Sequence, residues 1–451
     1  MSHQLAFIGL IVLTLAWRHL APVALRRVAV PWAFAIFLMN ISCAAFYIGP
    51  IRAAYVLMNY STFVIMLDGF DLDRKRNNPA WTAFLLFWIY MILSSFYGYY
   101  VFSALFYWTN ILLTSYCCGY FTARWVLRNE NGLHKLLFAM ATVSCIAMFL
   151  YAQHGNFAAI EAGAVGRVGF DMETLGEDVK SNVNYTALCM LMFIPFLVVS
   201  VLRTVRTKSG TIVKWMSIVA LFLCGVTLVR TGARNGAVGL LPSLWYFLFS
   251  TTNRVKRRRR IGLFITITIL FIPFVFVMMK GAESIRFLDI KGVDSNMSYG
   301  TLGDDITTGR MTLWKSHIEY RSITQIVFGG GMLKEALVDD VVGQRAGRIT
   351  AGNAHSVFMT VLYNSGVVGL LLLVIFLYVS VKRGLRMGDR GRLGLLFIGT
   401  WIFSGVAESW GMQGGGTALL GGFGIGLLSH KLAENSEFGE RDVYLPVWGG
   451  R

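Results

Sequence analysis

Arginine and histidine side chains gather around one long polar interval of this chain, and these residue types suit chemistry on a phosphate. The interval runs from Lys280 to Ala354, about 75 residues within an otherwise apolar sequence. Arginine forks match phosphate oxygens in a bidentate way. An imidazole, whose free pKa is about 6.5, can take up and release a proton at neutral pH. The residues therefore favour proton transfer beside a bound anion at the edges of the interval.

Three short stretches supply these side chains. The first contains Arg230 and Arg234, four residues apart at a predicted membrane exit, where one helix would stack both guanidinium groups on one side. The second is Arg310, near the middle of the interval. The third is His355, before a helix predicted to begin near Ser356, and a helix start favours an anion. A diphosphate on a lipid carrier would satisfy all three stretches.

The middle of the interval has the pattern of an amphipathic helix. Capping residues before Gly309 predict a helix from about Gly309 to Ile323. At 100° per residue, four of its side chains share one narrow face. They are Arg310, Trp314, His317 and Arg321. This face could lie at the membrane surface, with its basic groups directed at phosphates and its aromatic and imidazole rings near substrate. The alternative is an ordinary cover helix with a solvated basic face.

The rest of the chain must position these residues, and its composition is that of a membrane protein. Of 451 residues, 55% are hydrophobic and 14% are charged, against about 25% charged in soluble domains. Apolar stretches of about 20 residues, enough to cross about 30 Å of hydrocarbon, recur along the chain. We predict an all-α, polytopic transmembrane helical bundle of about 12 or 13 spans, with one large periplasmic loop that contains amphipathic helices. The clearer spans are Val28–Tyr47, Ala80–Phe96, Val101–Tyr120, Leu133–Tyr151, Val183–Leu202, Thr211–Val229, Ile261–Met279, Val357–Val379 and Leu393–Val406, and the weaker ones are Leu5–Trp17, Ala53–Leu67, Ala237–Ser250 and Ala418–Leu428.

The net charge of +17 is distributed as the positive-inside rule predicts. Lysines and arginines cluster in alternate short connections, as in Arg254–Arg260 and Lys382–Arg392. These clusters are therefore predicted to be cytoplasmic and to touch anionic lipid, which argues against nucleic acid as a partner. The connections between them, with the long loop, fall on the outer face. The candidate residues are therefore predicted to face away from the cytoplasm.

We predict one integral membrane domain, residues 1–433, whose catalytic loop is 280–354, and a short cytoplasmic tail, 434–451. The span nearest the N-terminus, Leu5–Trp17, lacks the basic region and the small-residue cleavage site of a signal peptide. All six cysteines lie in apolar spans, so neither a disulfide framework nor a cysteine-based zinc site is indicated. No cofactor and no metal ion are predicted.

Two rival functions are weaker. Asp71 and Asp73 form a D-x-D pair that could hold a divalent ion on a diphosphate, but they are predicted to be cytoplasmic, on the wrong side for the arginines. Ion-coupled transport usually needs ionisable residues within spans, and this chain has few. A flippase for lipid-linked oligosaccharides stays open, since it too must grip a diphosphate.

The order and spacing of several blocks resemble the bacterial O-antigen ligase and polysaccharide polymerase superfamily. The blocks are Val229-Arg-Thr-Gly-Ala-Arg234-Asn-Gly-Ala, Gly309-Arg-Met-Thr-Leu-Trp314, Phe328-Gly-Gly-Gly331, and Ala354-His-Ser-Val-Phe-Met-Thr-Val-Leu-Tyr-Asn-Ser-Gly366. The likeness covers roughly residues 181–428. The first block departs from the pattern, with Gly-Ala-Arg where Ser-Arg-Gly is commoner.

The resemblance implies an inverting, metal-independent glycosyltransferase that takes a glycan from undecaprenyl diphosphate. Its arginine before the loop corresponds best to Arg234 and next to Arg230, a choice that stays open; its loop arginine corresponds to Arg310, and its histidine to His355. The acceptor is then another glycan, for a polymerase of O-antigen or exopolysaccharide units, or lipid A–core, for an O-antigen ligase. The segment around Arg310 favours the polymerase. Membrane lipid and other polysaccharide assembly proteins are further candidate partners.

Overall fold

The computed structural model describes the helical part of the chain and short pieces of its connections. The described residues are 23–42, 47–48, 51–52, 64–65, 78–97, 101–129, 131–154, 183–203, 208–231, 234–251, 254–255, 257–266, 314–315, 318, 321–331, 356–406 and 416–429. Four predicted features lie outside the described residues. They are the weak span Leu5–Trp17, the pair Asp71 and Asp73, most of the loop 280–354, and the tail 434–451.

These residues are almost entirely helical, which confirms the all-α prediction. In chain order the helices are α1 (Val23–Ser42), α2 (Pro79–Ser94), α3 (Val101–Ile111), α4 (Cys118–Arg128), α5 (Gly132–His154), α6 (Val183–Arg203), α7 (Lys208–Thr231), α8 (Arg234–Phe249), α9 (Ile323–Phe328), α10 (Val357–Arg386), α11 (Gly388–Ser404) and α12 (Gly416–Leu427). A 3₁₀ turn, Ser95–Tyr97, follows α2, and a π-helical turn, Leu112–Cys117, joins α3 to α4. Residues 257–266 are also helical. After α1, β1 (Tyr47–Ile48) pairs antiparallel with β2 (Ile51–Arg52), with Tyr47 opposite Arg52.

Several helices are long and apolar enough for a membrane. Within the described residues, three segments meet both criteria for a full crossing: Pro79–Tyr97, Lys208–Leu228 and Val357–Arg386. Shorter apolar helices lie at Ala29–Leu38, Gly132–Met148, Ala187–Arg203, Gly236–Phe249 and Thr417–Leu427. The predicted spans that fall within the described residues thus overlap helices. The total of 12 or 13 stays a prediction.

Some polar side chains inside these helices bond to their own backbone. Ser144 Oγ donates to Met140 O, and Thr400 Oγ1 donates to Leu396 O at 2.9 Å. Such bonds to the preceding turn satisfy a hydroxyl without a water molecule. A buried hydroxyl left without a partner costs about 1–3 kcal/mol. Serine and threonine are therefore tolerated in these apolar helices.

Close backbone contact joins α4 to α12. A Cβ atom placed on Gly119 would lie 2.1 Å from Leu419 O, and one placed on Gly422 would lie 2.1 Å from Tyr116 O. Small residues let helices approach when lipid gives no hydrophobic drive to associate. The glycines between Gly421 and Gly426 thus lie in a helix, α12, and form a tight interface with α4.

A cluster of aromatic side chains packs α2, the π-helical turn, α10 and α11 against one another. The ring of Phe84, on α2, lies 4.8 Å from the ring of Tyr116, in the π-helical turn, and 5.3 Å from that of Phe376, on α10. The ring of Trp401, on α11, lies 5.4 Å from that of Tyr116. All four side chains are buried, and each such aromatic pair adds about 0.5–1.5 kcal/mol beyond its area. This cluster gives α10 and α11 a rigid support.

Candidate functional site

Arginines from distant parts of the chain meet at one end of the bundle, which we call the basic end. Arg203 Nη2, at the close of α6, lies 3.8 Å from Asp389 Oδ2, at the start of α11. The Arg203 guanidinium also lies 5.7 Å from the ring centroid of Tyr246, near the close of α8. Arg260 Nη1 donates to Phe247 O at 3.0 Å. The connections that carry these basic clusters therefore share one end, as charge alternation predicted.

The other end of the bundle, which we call the loop end, is where α10 begins and α11 finishes. Val357 N donates to Gly405 O at 2.7 Å, so the first turn of α10 is bonded to the residue after α11. At the same end, Gly236 of α8 packs against Leu228 of α7 and Ala187 of α6. The chain must run back and forth between the two ends, because each short connection at the basic end joins two antiparallel helices. The close of α7, which carries Arg230, and the start of α8, which carries Arg234, belong to the loop end.

Arg230 and Arg234 lie on two helices rather than one, which corrects the spacing argument. α7 closes at Thr231 and α8 begins at Arg234, and Leu228 contacts Gly236 across the hairpin. Because the helix does not continue between them, the i,i+4 rule does not stack their guanidinium groups. Their backbones still share the loop end, one at the close of α7 and the other at the start of α8.

The chain beyond His355 follows its prediction. Ser356 is extended, with φ −159° and ψ 133°, and α10 begins at Val357. The helix start predicted near Ser356 is therefore confirmed. Ser356 is buried and Val357 N is bonded to Gly405 O, so the start of α10 is held against the close of α11. His355 itself, like Arg310 and His317, lies outside the described residues.

A break in α10 forms the docking point for the loop. Gly366 has φ 65° and ψ −168°, a conformation essentially restricted to glycine. Before this break, Tyr363 O accepts a hydrogen bond from Gly330 N at 3.0 Å, and Asn364 O accepts one from Gly331 N at 3.2 Å. The close of the Phe328–Gly331 block thus bonds backbone to backbone with α10. The glycines are required because a Cβ on Gly366 would lie 2.3 Å from Val327 O.

Trp314 and Arg321 also converge on Tyr363. The Arg321 guanidinium lies 4.7 Å from the Tyr363 ring centroid, and its Nη1 donates to Tyr363 O. Tyr363 Oη donates to Trp314 O at 3.5 Å, a weak hydrogen bond. Tyr363 is buried, with 1% of its surface exposed. Its side chain therefore joins two separate points of the loop to α10.

The predicted helix from Gly309 to Ile323 is interrupted before its end. Trp314, Lys315 and Ile318 are helical, but Ser322 is extended, with ψ 154°, and caps the separate helix α9. Ser322 and Gln325 form a capping box, a pattern that was present in the sequence and was overlooked. Arg321 therefore lies outside the helix that was expected to carry it. Its alignment with Arg310 does not follow from helical phase.

Replacing Gly366 with alanine should destabilise the protein much more than replacing Gly388. Both glycines have positive φ, 65° and 61°, but a Cβ on Gly388 would meet nothing within 4 Å, whereas one on Gly366 would collide with backbone atoms of Val327 and Gly329. Positive φ alone costs alanine about 1–3 kcal/mol. We expect Gly366→Ala to lower the melting temperature in detergent well beyond Gly388→Ala. Equal shifts would mean that the loop does not dock at this break.

The fold and this end of the bundle define a helical membrane protein whose candidate site is built from helix ends and a loop docked on a broken helix. Residues 219–374 match the family model for O-antigen ligase. The matched segment includes Arg230, Arg234, the whole loop and the break at Gly366. No curated protein matches the chain. The resemblance to the O-antigen ligase and polymerase superfamily is therefore confirmed over these residues, and that family is associated with membrane glycosyltransferase-type activity.

Proposed function

We propose that the protein is an inverting, metal-independent glycosyltransferase of the bacterial inner membrane. It moves a glycan from undecaprenyl diphosphate to a sugar hydroxyl at the periplasmic face, as a polymerase of O-antigen or exopolysaccharide repeat units. The observation that carries the proposal is the family match over residues 219–374, which takes in all the candidate arginines and His355. Because the basic end is positively charged, it faces the cytoplasm in this proposal, and the loop end faces the periplasm.

In the proposed reaction, the acceptor hydroxyl oxygen attacks the anomeric carbon of the donor sugar from the face opposite the diphosphate. A new glycosidic bond forms as the bond from that carbon to the diphosphate oxygen breaks. His355 accepts the proton that the hydroxyl loses. The lipid diphosphate leaves with the bonding electron pair. Because the hydroxyl attacks from the opposite face, the configuration of the anomeric carbon is inverted.

The arginines supply the electrostatic part of this mechanism. Negative charge grows on the diphosphate as the bond breaks, so guanidinium groups held against it stabilise the transition state more than the ground state. Arg234 and Arg310 take this role, with Arg230 as a further diphosphate ligand. Trp314 and His317 are candidate substrate contacts. The close of α7 and the start of α8 bring the backbones of Arg230 and Arg234 to one hairpin, which suits a shared ligand.

Transfer of the glycan to lipid A–core is the second candidate function, because the matched family is described as O-antigen ligase. The two functions use the same donor and differ in the acceptor. A deletion strain distinguishes them. Single repeat units on core would indicate a lost polymerase, whereas long polymer left on its lipid carrier would indicate a lost ligase.

The chemical test uses the purified protein in nanodiscs with a lipid-diphosphate glycan. We expect new glycosidic bonds and one free lipid diphosphate for each transfer. Movement of the donor between leaflets with no bond formed would indicate a flippase and would rule out the enzyme.

Chelation of divalent ions should leave the transfer rate unchanged. In the proposal, arginines neutralise the leaving diphosphate, so no metal ion has a role there. The measurement is the initial rate with an excess of EDTA, compared with the same reaction supplied with Mg²⁺ or Mn²⁺. A strict metal requirement would return Asp71 and Asp73 to consideration, and Asp71→Asn would then be the next variant to assay.

A further inference from the structure

We propose that Tyr363 and Arg321 are positioning residues that hold the Arg310 segment of the loop in register with the helix that follows His355. The inference rests on the proposed function, because it concerns where two groups of that reaction are held. It assigns Arg321 a role different from the diphosphate binding that its charge suggested. The evidence is the set of contacts that converge on Tyr363.

The first link joins the loop to the broken helix. Arg321 Nη1 donates to Tyr363 O, and the same guanidinium lies over the Tyr363 ring. Tyr363 O also accepts from Gly330 N. The Tyr363 carbonyl oxygen can accept both hydrogen bonds because Gly366, three residues later, departs from helical geometry. The break in α10 thus creates the acceptor that the arginine uses.

The second link reaches toward Arg310. Tyr363 Oη donates to Trp314 O, and Trp314 follows Arg310 by four residues in the sequence. Tyr363 belongs to α10, which begins at Val357, two residues after the proposed base in the sequence. One buried side chain therefore touches the segment of the proposed anion ligand and belongs to the helix of the proposed base.

A link of this kind would affect the rate of the proposed reaction. Reacting groups must be held in a near-attack arrangement, and a misplacement of about 1 Å can reduce the rate about 100-fold. Arg310 belongs to a loop of about 75 residues, whereas His355 adjoins a helix packed in the bundle. Such a loop needs anchoring points if its arginine is to meet the diphosphate beside the base. The Tyr363–Arg321 contact and the Gly330–Gly331 bonds provide these points.

The test separates positioning from direct binding of the diphosphate. Arg321→Lys keeps the charge but loses the planar fork and its stacking on Tyr363. We expect kcat to fall about 10- to 100-fold, with the donor KM changed less than about 3-fold. Tyr363→Ala should act in the same way. A large rise in KM with kcat retained would instead make Arg321 a diphosphate ligand and would overturn the proposal.

The conservative variant and a matched control sharpen the result. Tyr363→Phe keeps the ring under Arg321 and loses only the bond to Trp314, so kcat should fall measurably but by less than in Tyr363→Ala. Tyr378→Phe, on the exposed face of the same helix, removes a hydroxyl away from the loop and should match the wild type. A loss in Tyr378→Phe equal to that in Tyr363→Phe would show that α10 responds to any substitution.

A second readout does not depend on transfer. Trypsin can cleave after Lys315, which is exposed and belongs to the segment that Tyr363 holds. We expect faster cleavage there in Tyr363→Ala and Arg321→Lys than in the wild type, all in nanodiscs. Faster cleavage in a protein with no transferase activity would support the link and reject the function. Unchanged cleavage together with unchanged kcat would reject the link while leaving the function intact.

Discussion

His355→Ala should lower the transfer rate by about 10²- to 10⁴-fold, the range over which a positioned general base accelerates a reaction. A sugar hydroxyl is a weak nucleophile while it holds its proton, and the proposed mechanism gives that proton to the imidazole. Ser356 and Val357, which follow His355, are fixed by burial and by the bond from Val357 N to Gly405 O. Loss of the imidazole should therefore not disturb the start of α10.

The measurement is the single-turnover rate of glycan transfer at saturating donor, with the amount of folded protein checked by gel filtration. His134→Gln is the matched control, since it removes an imidazole from the first turn of α5, beside Lys135 and outside the segment 219–374 that holds the candidate residues. It should transfer at the wild-type rate. Normal turnover by His355→Ala would remove the residue from the mechanism, and a drop in folded protein alone would make its role structural.

Arg310→Ala should lower the rate by about 10²- to 10³-fold, comparable to the loss of one donor from an oxyanion hole. In the proposed mechanism the guanidinium stabilises charge that develops only as the diphosphate departs, so the effect should fall on kcat more than on the donor KM. Arg310→Lys should recover part of the rate, because an ammonium keeps the charge but not the bidentate geometry.

Arg259→Ala provides the comparison for Arg310→Ala. This arginine is exposed, and its removal takes away one guanidinium on the basic side of the chain. It should leave transfer unchanged while lowering the net charge by the same amount. If both variants lost activity equally, a general effect of charge on donor binding would replace the specific role of Arg310. If Arg310→Ala kept full activity, Arg230 and Arg234 would have to carry the diphosphate alone.

Much of the fold could be predicted because the local amino-acid composition is enough to identify membrane helices. Apolar runs of about 20 residues identify α2, α7 and α10, and lysines and arginines mark the connections at the basic end. These signals need no knowledge of which helices touch. The start of α10 after Ser356 was predictable for the same reason, since Gly352 and Asn353 precede a long apolar run there.

The candidate site was predictable in part. The types of its residues suggested phosphate chemistry, and the family match over residues 219–374 agrees with the resemblance that several blocks carried. The local geometry was less accessible. Helical spacing would have stacked Arg230 and Arg234 on one helix, but α7 ends at Thr231 and α8 begins at Arg234. It also extended the loop helix through Arg321, because the capping box at Ser322 was overlooked.

The sequence by itself determined the class of protein, the alternation of charge and the residue types of the site, since each depends on local composition or spacing. Only the tertiary structure decided what Tyr363 contacts. Its carbonyl accepts from Gly330 and Arg321, and its hydroxyl donates to Trp314, across about 30 to 50 residues of chain. Such long-range bonds depend on how α10 breaks at Gly366 and on which loop backbone fits against the break. No periodicity along the chain encodes that fit.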